Sequence, residues 1–144
     1  MESSGDFPAS FQDAMNCGCS FQPLRSWLIS GCLAGTEKLP ADTSKVEVEH
    51  IFPQTPNEEW IQYFEANGNE DIYVGRLGNL TLLGQKLNKQ LSNKPYKEKR
   101  KTYFKKSDFT ITKQLAKVSK WTARVVEKRQ SQLFKHACEI WDVK

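Results

Sequence analysis

The stretch "VEVEHIF", residues 46 to 52, constrains this chain most. Valines alternate with acids, so a strand there places Val46, Val48 and His50 on one face and Glu47, Glu49 and Ile51 on the other. Pro53 and Pro56 stop the run. The natural partner is "LTLL", residues 80 to 83, a short run of branched apolar residues just after the turn chemistry of Gly78-Asn79. These two strands are expected to form a hairpin-like pair with a long loop between them.

Elsewhere the patterns are helical. Leu24, Trp27, Leu28 and Cys32 share one helical face. Asn57 followed by Glu58 and Glu59 is an N-cap with acids in the first turn, opening a helix that runs to about Asn67-Gly68. "QKLNKQLSN" is a short helix closed near Asn93, and Pro95 suits the first turn of "PYKEKRKTYFKK". Ser107 and Asp108 are candidate caps for "FTITKQLAK". From Ser119 to about Trp141, apolar residues at 121, 125, 126, 133, 137, 140 and 141 follow helical spacing, which predicts the longest helix and a wall of the core.

The expected fold class is therefore α+β: a mostly helical domain around a short antiparallel two-stranded sheet, with a long C-terminal helix. Residues 1–20, rich in Ser, Gly and Cys without periodicity, read as a flexible arm. The domain proper is 21–144, with a strand–strand–helix core at about 45–94 and C-terminal helices over 95–142.

Charge is unevenly spread. The chain of 144 residues, one domain in size, carries a net charge of +4. Between Lys86 and Lys106 lie eight lysines and Arg100 against the single acid Glu98, a local balance of +8, so the remainder is net acidic. Such asymmetry points to a polyanionic partner, the alternative being a solvated helix face. Lys86, Lys89, Lys94, Lys97, Arg100, Lys101 and Lys105, with Tyr96 and Tyr103 among them, are the candidates to follow a nucleic-acid backbone.

No stretch approaches 18 apolar residues, which predicts no membrane span, and "MESSGDFPAS" lacks the basic start and apolar run of a signal peptide. A cytoplasmic location is expected. Cys17 and Cys19 form a C-x-C without a second pair, which disfavours structural zinc and favours free thiols.

Glu49-His50 at a strand end, Asn79 at the start of a second strand and Asn88 on the following helix outline a ββα-metal motif. Hydrolysis of a phosphodiester needs a base for the attacking water and a cation for the charge that develops on the phosphate and leaving oxygen. Histidine is the base best matched to neutral pH. A hard cation wants oxygen ligands, few of them from protein, and Glu49 and Asn88 offer two. Neighbours on a strand face opposite ways, so Glu49 and His50 require a bend, for which Pro53 is well placed.

"VEHIFPQ", "LGNLTLL" and "KLNKQLSNKPY" together resemble the HNH, or His-Me finger, nucleases. More narrowly, with "WTARVVEKRQSQLFKHACEIW" closing the chain, they resemble the C-terminal nuclease domain of GmrSD-type modification-dependent restriction endonucleases. The resemblance covers roughly residues 45–142. It implies His50 as general base, Glu49 and Asn88 as holders of a divalent ion, and Asn79 as the residue that steadies the loop and orients His50. Asn88 stands where the commonest HNH pattern has a final histidine, which favours Mg²⁺ or Mn²⁺ over zinc. Asn93 is the alternative ligand. The resemblance also implies DNA as substrate, a role in restriction or phage defence, and an N-terminal NTPase or recognition domain or subunit elsewhere in the system. Arg129, inside the apolar stripe of the last helix, is expected to be structural, and His136 structural or on the surface. A non-catalytic nucleic-acid-binding module and an RNA nuclease are the competing readings.

Overall fold

The computed structural model describes residues 43–140. The expected arm over 1–20, the helix around Leu24–Cys32 and Trp141 lie outside the described residues. A 3-10 turn, Thr43–Lys45, leads into β1, Val46–His50, which pairs antiparallel with β2, Leu80–Gly84. The register sets His50 opposite Leu80, Glu49 opposite Thr81 and Glu47 opposite Leu83. Among the described residues six α-helices accompany this ribbon. In chain order they are α1 (Glu58–Phe64), α2 (Glu70–Val74), α3 (Gln85–Leu91), α4 (Tyr96–Glu98), α5 (Thr110–Lys113) and α6 (Ala123–Ile140). A two-stranded ribbon is marginal alone, so the helices must cover it. The class is α+β, as expected.

The chain joins these elements for identifiable reasons. Asn57 caps α1: its side-chain oxygen accepts from the Trp60 N–H at 2.9 Å, and Glu58 and Glu59 occupy the first turn. The helix stops at Glu65, whose φ of 58° is left-handed, and Asn67 and Gly68 also take positive φ before α2 begins. Five residues long and without a side-chain cap, α2 gave no periodic signal in the sequence. After α4 the helix widens into a π-helical stretch, Lys99–Phe104, and α5 continues as a 3-10 turn, Gln114–Lys117. Ser107 does not cap α5; its hydroxyl accepts from the Phe109 N–H at 3.2 Å in the turn just before the helix, and Asp108 is exposed. The last helix begins at Ala123, four residues later than its apolar spacing suggested, because Trp121 is drawn into the core from the non-helical segment 118–122.

The core is aromatic. Phe52 stacks on Phe64 with ring centroids 4.0 Å apart, and Tyr96 stacks on Trp121 at 5.7 Å. Tyr96 is buried, and its hydroxyl donates to the carbonyls of Leu115 and Val118. It is a core residue and not one of the phosphate contacts proposed for it on sequence. Against this core α6 presses on the 3-10 turn Leu77–Asn79 that precedes β2. A Cβ on Gly78 would stand 2.2 Å from the Val126 carbonyl oxygen, so only glycine permits that approach. Arg129 then reaches over the turn, Nη1 donating to Gly78 O at 2.8 Å and Leu80 O at 2.6 Å. Its structural role is as expected, with carbonyls as the observed partners.

Candidate functional site

The site grows from the end of β1. Immediately after His50 the chain bends at Ile51 and Phe52, and Asn79 holds the bend. Ile51 N donates to Asn79 O at 3.0 Å and Phe52 N donates to Asn79 Oδ1 at 2.8 Å. Asn79 Nδ2 returns donations to Phe52 O at 2.9 Å and Val74 O at 3.0 Å. Trp121 Nε1 completes the set, donating to Asn79 Oδ1 at 3.0 Å. A primary amide offers two donors and an oxygen with two lone pairs, and this fully buried side chain uses all four. No isosteric residue does so: aspartate lacks the donors and leucine lacks everything. Asn79 thereby fixes the backbone beside His50 without approaching solvent, and Pro53 is buried just beyond.

Glu47 and Glu49, two apart on β1, share a face of the strand. Asn88, from α3, meets the first of them: its Nδ2 donates to Glu47 Oε2 at 2.6 Å. The other end of that amide, Asn88 Oδ1, is buried without a hydrogen-bond partner. Glu49 is taken by Lys99, whose ammonium donates to Glu49 Oε1 at 2.8 Å. The same ammonium donates to Ile51 O at 3.0 Å and His50 O at 3.4 Å, and lies 5.5 Å from the centre of the Trp60 ring. Lys99 is wholly buried and Glu49 is 8% exposed. Glu49 and Asn88, paired on sequence as ligands of one ion, therefore each have a different immediate neighbour. Neither Glu47 nor Lys99 was singled out on sequence. By charge pattern alone Lys99 is one more lysine of a basic tract. The available signal is its phase: among the described side chains of that segment Tyr96, Lys99 and Phe104 are buried, so the lysine stands where an apolar residue belongs.

Burial dominates the electrostatics here. It pushes the Glu49 carboxyl above the usual carboxylate range, and Lys99 pulls it back only in part. Burial likewise pushes the Lys99 ammonium down, against the opposing pull of Glu49. His50 is lowered from 6.5 to about 4, first by burial and then by the Lys99 charge, so it is a neutral imidazole at pH 7. That shift has a measurable sign. Between pH 6.5 and 4 the unfolded chain takes up a proton that folded His50 refuses, so stability falls as pH falls through this window. In EDTA the loss attributable to His50 should be about 2–3 kcal/mol. Urea titrations of wild type and His50→Gln at pH 7 and pH 4 should show the steeper decline in wild type. Equal declines would contradict the shift.

The donor set suits a hard cation. Asn88 Oδ1 is an amide oxygen awaiting a partner, and the adjoining strand face supplies carboxylate oxygens from Glu47 and Glu49. Among the described residues no group of three or more His, Cys, Asp or Glu is clustered to hold a metal ion. Asn93, the alternative ligand, donates through Nδ2 to Thr55 O at 2.9 Å and so ties the chain after α3 to the loop after β1.

The basic residues divide by exposure. Lys86 and Lys89 stand exposed on α3, and Lys97, Lys101 and Lys105 stand exposed along α4 and its extension. Lys94 is half-buried, its ammonium 3.0 Å from Glu98 Oε1. Arg100 is half-buried as well, and its Nε donates to Ala116 O at 2.8 Å, which braces the π-helical stretch against the segment after α5. Part of the Arg100 guanidinium thus serves the fold.

A strand pair, two short helices between the strands and a following helix that brings an asparagine to the strand acids define a small α+β domain. The model of the GmrSD restriction endonuclease C-terminal domain family matches residues 15–136. The chain belongs to that family. No curated protein and no solved structure matches the chain. Membership makes it a module of restriction endonucleases and implies nuclease activity on DNA. Among the described residues no helix is long and apolar enough to cross a membrane.

Proposed function

We propose that the chain is the cleavage module of a divalent-metal-dependent DNA endonuclease of the HNH, or His-Me finger, type, working in restriction or phage defence. One observation carries this reading: Asn88 Oδ1 is buried and unpartnered next to the strand that bears Glu47, Glu49 and His50. Glu49 and Asn88 would hold Mg²⁺ or Mn²⁺, with Glu47 steering the Asn88 amide so that its oxygen faces the ion. When bound, the cation supplies charge neutralisation at the phosphate and the leaving oxygen. His50, neutral at pH 7, accepts the proton of the attacking water on a ring nitrogen. Asn79 touches no reacting atom; it positions the backbone that carries His50. Recognition and any nucleotide-driven step would belong to an N-terminal domain or subunit of the same system.

Lys86, Lys89, Lys97, Lys101 and Lys105 would follow the phosphate backbone, with Lys94 and Arg100 contributing from their half-buried positions. Replacing Lys97, Lys101 and Lys105 with glutamine should weaken binding to all DNA sequences alike. It should also flatten the slope of log K against log[salt] by up to about 3 units, near 0.9 per lost phosphate contact. An unchanged slope would move the DNA track elsewhere, for instance to the exposed Lys113, Lys117, Lys120 and Arg124.

The test of the whole reading is plasmid nicking by the isolated chain with Mg²⁺, Mn²⁺, Ca²⁺ or EDTA, beside an RNA substrate of matched length. Strand breaks in DNA with Mg²⁺ or Mn²⁺ and none in EDTA are expected. Salt-dependent binding without breaks would make the domain a binding module, and breaks confined to RNA would make it a ribonuclease.

A further inference from the structure

We propose that Lys99 is a built-in counter-cation of the metal site. It occupies Glu49, weakens the grip of the bare protein on a divalent ion, and so makes metal binding depend on the negative charge of DNA. The inference rests on the metal-site reading of Glu49 and Asn88. A fully buried lysine is unusual, because an apolar residue of similar volume avoids the desolvation penalty. The contacts of this one are concentrated on the candidate site: Glu49 Oε1 at 2.8 Å, Ile51 O at 3.0 Å and His50 O at 3.4 Å. Trp60 faces the ammonium at 5.5 Å. The three donors of the ammonium are thus met by the carboxylate and by two carbonyls at the bend, all of them part of the candidate site.

The consequence is electrostatic. An ammonium within hydrogen-bond distance of a ligand carboxylate repels a second cation in the same low-dielectric setting. It also takes one lone pair of Glu49 Oε1, so an ion must share that oxygen with the ammonium or use Oε2 alone. A phosphate brought alongside adds the negative charge that offsets both cations. Binding of metal and of DNA should then be coupled, each tightening the other by the same factor. Lys99 is thus a positioning residue for Glu49 and the bend, acting through them and touching neither the substrate nor the ion.

The test is Mn²⁺ affinity, read from the free-ion electron paramagnetic resonance signal, on full-length protein in a His50→Ala background with and without a short DNA duplex. Lys99→Met should tighten Mn²⁺ binding in the absence of DNA by on the order of 10-fold or more, and should shrink the further tightening that DNA brings. A residue that is only structural predicts the opposite direction, since a loosened site holds the ion less well. Equal or weaker binding in folded Lys99→Met overturns the proposal. If Lys99→Met does not fold, the comparison moves to Glu49→Gln against Glu49→Gln/Lys99→Met, a pair in which no lone carboxylate is left buried. There the double variant should bind Mn²⁺ more tightly than the single one. Equal binding, weaker binding or failure of the double variant to fold overturns the proposal. No Mn²⁺ binding by the background protein, with or without DNA, would instead remove the metal-site reading on which the inference stands.

Discussion

His50→Ala is expected to lower the rate of DNA cleavage by roughly 10²–10⁴-fold while leaving the fold and DNA affinity nearly unchanged, the usual range for loss of a general base. The expectation follows from where the imidazole sits. His50 closes β1, opposite Leu80, and is half-buried. Burial and the neighbouring Lys99 ammonium keep it neutral, so it has a lone pair to offer at any pH above its lowered value of about 4. The bend beyond it is held by the backbone of Ile51 and Phe52 and by Asn79, none of which depends on the imidazole. The measurement is single-turnover cleavage of a plasmid at saturating enzyme, beside a thermal melt and a binding isotherm. A variant that unfolds would make His50 a core histidine, and one that cuts at the wild-type rate would remove it from the chemistry.

Asn79→Ala should have the largest effect on stability, a loss of about 3–5 kcal/mol, because each buried polar group left unpaired costs roughly 1–3 kcal/mol. Two donors, Phe52 N and Trp121 Nε1, and two acceptors, Phe52 O and Val74 O, lose their partner together. Set against a domain stability of about 5–15 kcal/mol, that is a substantial part of the whole. Asn79→Asp should fare little better: it keeps the acceptor oxygen, loses both donors, and turns a carboxylate oxygen towards the carbonyls of Phe52 and Val74. Urea unfolding of the three proteins measures the difference. A loss under about 1 kcal/mol for Asn79→Ala would contradict the buried network, since one good hydrogen bond alone is worth that much.

Much of the frame was legible in the chain. The Val/Glu alternation gave β1, the branched run gave β2, and Asn57 with two following acids gave the start of α1. Each is a local signal, carried by neighbours in sequence. Asn79 was picked out by its place in a motif, but its four partners come from three separated segments, around residues 52, 74 and 121, so the reason for it could not be read locally. Trp121 looked like the first turn of the last helix by spacing alone; packing against Tyr96 and the Asn79 bond kept it outside. By charge count Lys99 belongs with its neighbours in a solvated tract; only three-dimensional closure over β1 makes it a buried partner for Glu49. The motif residues are Glu49 and His50, whereas Asn88 bonds Glu47, the acid one pleat earlier on the same strand face.

The proposed site requires β1 and α3 to meet around one divalent cation. The most direct measurement is the anomalous scattering of Mn²⁺ in crystals of the His50→Ala protein bound to a DNA duplex. A single ion is expected at roughly 2.0–2.6 Å from Asn88 Oδ1 and from an oxygen of Glu49, with water or phosphate completing the shell. An ion bound away from both side chains, or no ion at Asn88 while its amide stays on Glu47, would contradict it.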